Sequence, residues 1–177
     1  MEYFILTQDS RINGPRLPKE LIDIVPRKIT TTQKDKQITE PLAFSLYDSQ
    51  EWEYSAIIDR PVYLVNTGVK NILEKYDRNI KSTPVMFNDV EKMKQHLYWL
   101  TEICPVDCLA EGSVFNADRT IRKLVLDKKK IRDIPIFRIG GILEEYVIVR
   151  LDVAESLLRR DFYGIGLNLL LINELKE

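Results

Sequence analysis

Two similar patterns, over about residues 61–88 and 146–173, constrain the fold of this chain more than any other feature. Each is an apolar run, a short stretch with apolar positions three and four apart, and a second apolar run. The clearest matches are Val62-Tyr63-Leu64 with Val147-Ile148-Val149, and Ile72-Leu73 with Leu157-Leu158. Such spacing is typical of strands joined by a helix that covers a sheet. We therefore expect two strand-helix-strand units, either a weak internal repeat or a chance similarity.

Both predicted helices have start signals. Asn66 or Thr67 can cap the first helix, because a short polar side chain there accepts a hydrogen bond from a free backbone N–H. Asp152, with Glu155 three residues later, forms a pair like a capping box at the second.

Other apolar runs predict the remaining strands. They are Glu2 to Thr7 (a buried strand), Leu42 to Tyr47, Leu97 to Cys104, Ile121 to Leu126 and Ile134 to Ile139, the last three antiparallel. Residues 167–172 carry apolar groups on both faces, which predicts a final strand covered on both sides. The polar stretch from Pro26 to Glu40 predicts a surface loop.

One local feature leaves room for alternatives. Gly140-Gly141 predicts either a tight hairpin turn or part of a longer loop with its tip at Glu144-Glu145. The spacing of Val90, Met93 and Leu97 predicts a helical turn.

The whole chain, residues 1–177, is predicted to be one α+β domain, a mixed and mostly antiparallel sheet with two or three helices packed on it.

Composition limits the partners. The 26 basic and 27 acidic side chains leave a formal net charge of -1, which argues against nucleic-acid or membrane binding through bulk charge. A basic cluster between Arg119 and Arg132 is interrupted by Asp118, Asp127 and Asp133. The longest apolar run is too short to span a bilayer and the amino terminus does not resemble a signal peptide, so we expect a cytoplasmic protein.

Residues with catalytic or metal-binding chemistry are few. His96 is the only histidine and is expected at a strand edge or on the surface. Cys104 and Cys108 cannot close a tetrahedral zinc site alone, and we expect two small half-buried residues. Gly164-Ile165-Gly166 follows a helix, which is typical of a helix stop and turn and not of a phosphate loop. The sequence predicts no catalytic residue, no cofactor and no metal site.

One segment combines aromatic and acidic residues. In Glu51-Trp52-Glu53-Tyr54 the alternation places both aromatic rings on one face of an extended strand and both carboxylates on the other. The rings are interpreted as core residues or, alternatively, as anchors of a partner-binding surface, because Trp and Tyr are enriched among residues that dominate binding energy. These four residues are the candidate partner-binding site.

A series of motifs occurs in the same order as in a known family. The series is Tyr98-Trp99-Leu100, Val106-Asp107, Ile136-Phe137-Arg138-Ile139, Val147-Ile148-Val149, a short capped helix and Gly164-Ile165-Gly166. In this order the motifs resemble the immunity protein 11 family, small proteins encoded beside bacterial polymorphic toxins. The resemblance covers residues 98–173 and, before them, only Tyr3 to Leu6 and the unit from Pro61 to Tyr76.

The resemblance implies a non-enzymatic immunity protein that binds a cognate toxin domain and blocks its active site or substrate channel. The alternative is a small enzyme or ligand-binding domain whose site has no sequence motif. A deep polar pocket with converging ionisable groups favours this alternative, whereas a flat or acidic surface favours an inhibitor.

Overall fold

The computed structural model describes residues 2–25, 38 and 40–173, with side chains as far as residue 170. The strands in chain order are β1 (Tyr3–Gln8), β2 (Leu42–Leu46), β3 (Ile57–Ile58), β4 (Leu64–Asn66), β5 (Lys81–Asp89), β6 (Lys94–Glu102), β7 (Pro105–Val106), β8 (Val114–Phe115), β9 (Ile121–Lys123), β10 (Val125–Asp127), β11 (Ile136–Ile139), β12 (Val147–Arg150), β13 (Ile165–Leu169) and β14 (Leu171–Asn173). The helices are α1 (Lys19–Ile24), α2 (Thr67–Tyr76) and α3 (Leu151–Leu158). Most of the predicted loop from Pro26 to Glu40 lies outside the described residues.

Two five-stranded sheets carry the fold. The first has the order β13-β1-β12-β11-β7, and the second has the order β2-β5-β6-β4-β3. Most neighbours are antiparallel, but β7 pairs with β11 and β2 with β5 in parallel. Two small pairs, β8 with β9 and β10 with β14, complete the strands. The predicted α+β class is confirmed, with the strands divided among several sheets.

Three apolar clusters fill the space around the sheets. The central cluster joins both sheets to α2 and α3 and includes Val65 and Val149. Leu21 of α1 covers the outer face of the second sheet, and Phe137 belongs to the cluster on the outer face of the first. Because β11 and β12 are buried on two faces, they are nearly continuous apolar runs in the sequence.

The helix starts differ from each other. The Asn66 side chain accepts a hydrogen bond from the Val69 N–H at 2.9 Å, which confirms the first predicted cap. The predicted capping box at Asp152 is wrong, because α3 begins at Leu151 and its N-cap, Arg150, makes no side-chain cap hydrogen bond. Asp152 lies inside the first turn and pairs with Arg150 at 2.7 Å.

The two strand-helix-strand units share one topology. In the first unit, β4 and β5 both pair antiparallel with β6, which lies between them, so they are parallel to each other. In the second unit, β12 and β13 flank β1 in the same way. The helices of the two units, α2 and α3, pack against each other. A shared topology arises by repetition or by chance, so the internal repeat stays a prediction.

Two local predictions fail between β5 and β10, and a third is confirmed in part, because β6, β9 and β11 each have an antiparallel neighbour but do not pair with one another. Residues 90–93 form the turn of the β5–β6 hairpin, so the helical turn predicted from Val90, Met93 and Leu97 is wrong. The strand predicted from Ile121 to Leu126 divides at Leu124 into β9 and β10. The three strands predicted as antiparallel belong to different sheets, because local pattern does not determine which distant strand is the partner.

The loop between β11 and β12 and the final predicted strand also differ from expectation in part. Residues 140–146 join β11 to β12, so the longer loop is correct and the tight turn at Gly140-Gly141 is wrong. The final apolar run divides into β13 and β14. Because β13 lies at the edge of the first sheet and Leu169 is 63% exposed, the prediction of a strand covered on both sides is wrong.

Candidate functional site

Residues 48–54, here named the acidic loop, lie between β2 and β3 and have no regular secondary structure. Trp52 and Tyr54 are half-buried against the apolar cluster on the outer face of the second sheet. Glu51 and Glu53 are exposed. The interpretation of both rings as core residues is confirmed only in part, because they pack against the core and stay half-buried, and the extended strand predicted for them is wrong. The two carboxylates reach solvent from an irregular segment that is anchored by its aromatic residues.

A buried carboxylate at the end of β5 holds the acidic loop. Asp89 is 2% exposed and accepts hydrogen bonds from the Ser49 hydroxyl (2.5 Å), the Tyr54 hydroxyl (2.7 Å) and the Lys92 backbone N–H (3.0 Å). Burial alone raises the pKa of Asp89, but these hydrogen bonds and the Lys92 charge outweigh it and hold the pKa at about 2. At neutral pH an ionised carboxylate therefore fixes the loop near both of its ends.

The β5–β6 turn makes further contacts with the acidic loop. The Glu91 carboxylate accepts hydrogen bonds from the backbone N–H groups of Asp48 (3.2 Å) and Ser49 (2.9 Å). The Lys92 ammonium donates to the Trp52 carbonyl oxygen at 2.7 Å. Because loop and turn are joined at several points, the acidic loop is ordered before any partner arrives, which lowers the entropic cost of binding.

His96 packs under the loop. Its ring stacks on the Tyr54 ring, with centroids 3.5 Å apart and planes inclined by 8°. Burial lowers the pKa of His96, Asp89 partly opposes the shift and two lysines reinforce it, so the imidazole is neutral at pH 7. The Ser49 hydroxyl donates its hydrogen bond to Asp89. Ser49 and His96 therefore do not form a nucleophile and base pair. The predicted edge position agrees with the local pairing, since at His96 only β5 pairs with β6 and β4 pairs with residues 98–100 alone; the half-buried ring lies under Tyr54.

The other side of the acidic loop contacts the segment after β1. The Glu53 backbone N–H donates to the Asn13 carbonyl at 2.9 Å, and the Asn13 amide donates to the Glu51 carbonyl at 3.1 Å. The Tyr163 hydroxyl donates to the Glu53 carboxylate, and this hydrogen bond raises the pKa of Tyr163. These contacts orient Glu53 at the surface.

A cleft of about 340 Å³ lies near this segment, lined by residues that include Gln8, Asp9, Ile58, Asp59 and Arg60. Asp9 pairs with Arg11 at 2.6 Å, and Asp59 accepts the Gln8 N–H at 3.2 Å. Hydrogen bonds from Arg11 hold the pKa of Asp9 at about 2. The carboxylates of the cleft are therefore already engaged by neighbouring groups.

The other residues considered for chemistry lie apart. Cys108 is buried, which raises the pKa of its thiol to about 12, whereas Cys104 is exposed, so the expectation of two half-buried cysteines is wrong. In the described part of the chain, no group of three or more His, Cys, Asp or Glu side chains is placed to hold a metal ion. In the basic cluster, Lys130 lies 3.8 Å from Asp107 and Arg132 lies 3.4 Å from Asp133.

The sequence reasoning missed the residues that hold the site, namely Ser49, Asp89, Glu91 and Lys92. One signal was present for Asp89. In β5, Val85 and Phe87 face inward, and the strand alternation places Asp89 on the same face. A carboxylate at an inward position requires hydrogen-bond partners, because an unpaired buried charge is strongly unfavourable.

No protein-family model matches the chain, and no curated protein matches it. Among the described residues, no helix has the length and apolar character needed to cross a membrane. Support for a function therefore comes from the geometry of the acidic loop and from the order of the sequence motifs.

Proposed function

We propose that this protein is an immunity protein, a non-enzymatic inhibitor that binds a cognate toxin domain in the cytoplasm and blocks its active site or substrate channel. The observation that carries the proposal is the acidic loop, an ordered segment with exposed carboxylates on a rigid scaffold. The resemblance of the motif order to the immunity protein 11 family supports the same function.

The construction of the loop suits stoichiometric inhibition. Tight protein inhibitors bury a total of about 1,600 Å² and bind with little change of backbone. We assign direct contacts with the toxin to Glu51 and Glu53, and the support of the loop to Trp52 and Tyr54. Exposed carboxylates speed the encounter with a cationic partner, and the ordered loop reduces the free-energy cost of association.

Growth rescue tests the proposal. The gene beside the one for this protein is expected to encode a large secreted protein with a variable carboxy-terminal domain. Production of that domain in a bacterial host should stop growth, and co-production of this protein should restore it. A neighbouring gene for a metabolic enzyme, or growth arrest that persists in the presence of soluble protein, contradicts the proposal.

The alternative function, a small enzyme or ligand-binding domain, relies on the cleft beside Asp59. Its carboxylates are occupied by Arg11 and by the Gln8 N–H. An inhibitor agrees better with these contacts, because they engage both carboxylates of the cleft, and the exposed Arg60 guanidinium lies 3.7 Å from Asp59. Turnover of an ester, phosphodiester, nucleotide or peptide that depends on residues of the cleft would favour the alternative.

A further inference from the structure

Three large apolar side chains are exposed where the β5–β6 turn meets the end of β2. Tyr47 is 63% exposed, Val90 47% and Met93 90%. The Val90 N–H donates to the Leu46 carbonyl at 3.1 Å, which places Val90 beside Tyr47. Met93 is the most exposed large apolar residue of the described part of the chain. Apolar side chains grouped at the surface in this way are typical of interaction sites.

Asp48 follows Tyr47 and Glu91 follows Val90, and both carboxylates are exposed where the loop meets the turn. Glu51 and Glu53, farther along the acidic loop, are exposed as well. The Lys92 ammonium is directed back to the Trp52 carbonyl, so Lys94 is the exposed cation of the turn region. An apolar centre with a charged rim is the usual anatomy of a protein interface, and this rim is complementary to lysines and arginines.

We propose that Tyr47, Val90 and Met93 form the centre of the interface with the toxin, and that the toxin presents a basic surface around an apolar pocket that receives Met93. This inference rests on the proposed function and names the chemistry of its partner. Basic surfaces of this kind are typical of proteins that act on nucleic acids, so we assign the toxin to that class.

The backbone of Met93 allows a sharp test. Its φ is 49°, in the left-handed region that most side chains avoid and that Asn tolerates better. Met93→Asn therefore removes the apolar side chain while keeping the conformation of the turn. We expect a melting temperature equal to or above that of the wild type, and an affinity for the toxin domain encoded by the neighbouring gene that is at least tenfold lower, measured by calorimetry and surface plasmon resonance.

Leu158→Asn is the matched control, because Leu158 is 66% exposed at the end of α3 and lies outside this surface. It should bind the toxin domain as the wild type does. Unchanged affinity of Met93→Asn overturns the inference but leaves the proposed function intact, whereas failure of the wild type to bind overturns both. A toxin domain with an acidic contact surface, or a homodimer of this chain that Met93→Asn dissociates, also overturns the inference.

Discussion

Replacing Tyr54 with phenylalanine removes one hydroxyl from the hydrogen bonds around Asp89 and leaves the ring on His96. The lost bond is 2.7 Å long and ends on a buried carboxylate. A hydrogen bond to a charged group contributes about 1.5 to 3 kcal/mol. The lower value applies here, because Asp89 keeps the Ser49 hydroxyl and the Lys92 N–H. We expect the free energy of unfolding to fall by about 1.5 kcal/mol, and the melting temperature by about 3 to 6 °C for a domain of this size.

The effect should depend on pH in a defined direction. The folded pKa of Asp89 is about 2, below the value of about 3.9 expected in the unfolded chain. Because the folded pKa is depressed, the ionised carboxylate stabilises the fold fully above pH ~4, and this stabilisation is lost as the pH falls toward 2. The difference between wild type and Tyr54→Phe should therefore shrink over this range.

Urea denaturation at a series of pH values measures both effects. Tyr47→Phe is the control, because Tyr47 is 63% exposed and removal of its hydroxyl should change stability by less than about 0.5 kcal/mol. Equal stability of wild type and Tyr54→Phe at pH 7, or a difference that grows on acidification, would refute the role assigned to Asp89.

Three further pairs of variants test the site and the fold. The double variant Glu51→Lys with Glu53→Lys should keep the melting temperature and slow toxin association, and the difference in association rate should shrink with added salt. Glu111→Lys with Glu155→Lys, an equal charge change on other exposed residues, should associate with the toxin as fast as the wild type. Leu169→Asp should be folded, because Leu169 lies exposed on an edge strand, whereas Ile148→Asp should yield insoluble protein. Gly164→Ala should lower the free energy of unfolding by more than about 2 kcal/mol, because φ is 78° and a Cβ would collide with the Ile12 and Ser55 side chains. Gly141→Ala, at φ 79° in open space, should lower it by only about 1 kcal/mol. Equal effects of the two variants on thermal stability would contradict this reasoning.

Local chemistry made part of this fold predictable. Asn66 acts within one turn of the chain, and the apolar positions of α2 face one side, so spacing alone located that helix. The α+β class followed from the same periodicities. The sheet pairings depend on partners far apart in sequence, as when β10 joins β14, and neither strand carries a signal for the other. The same limit applies to Leu169, whose exposure depends on which strand forms the edge of the sheet.

The candidate site was predictable only in part. The alternation in Glu51-Trp52-Glu53-Tyr54 correctly separated the half-buried rings from the exposed carboxylates. The residues that order the loop are distant in sequence, since Asp89 meets Ser49 across a separation of 40 residues. The spacing of Met93 predicts a helical turn, and its exposure at a hairpin tip follows only from the pairing of β5 with β6.

The stoichiometry of inhibition tests the central proposal most directly. Purified toxin domain is titrated with this protein while toxin activity is measured, and the complex is weighed by analytical ultracentrifugation. A binding inhibitor predicts a linear loss of activity that ends at one equivalent, with a stable one-to-one complex. Complete loss of activity at a small fraction of an equivalent would show that the protein acts as an enzyme on the toxin, and full activity at excess protein would show that it does not inhibit; either result contradicts the proposal.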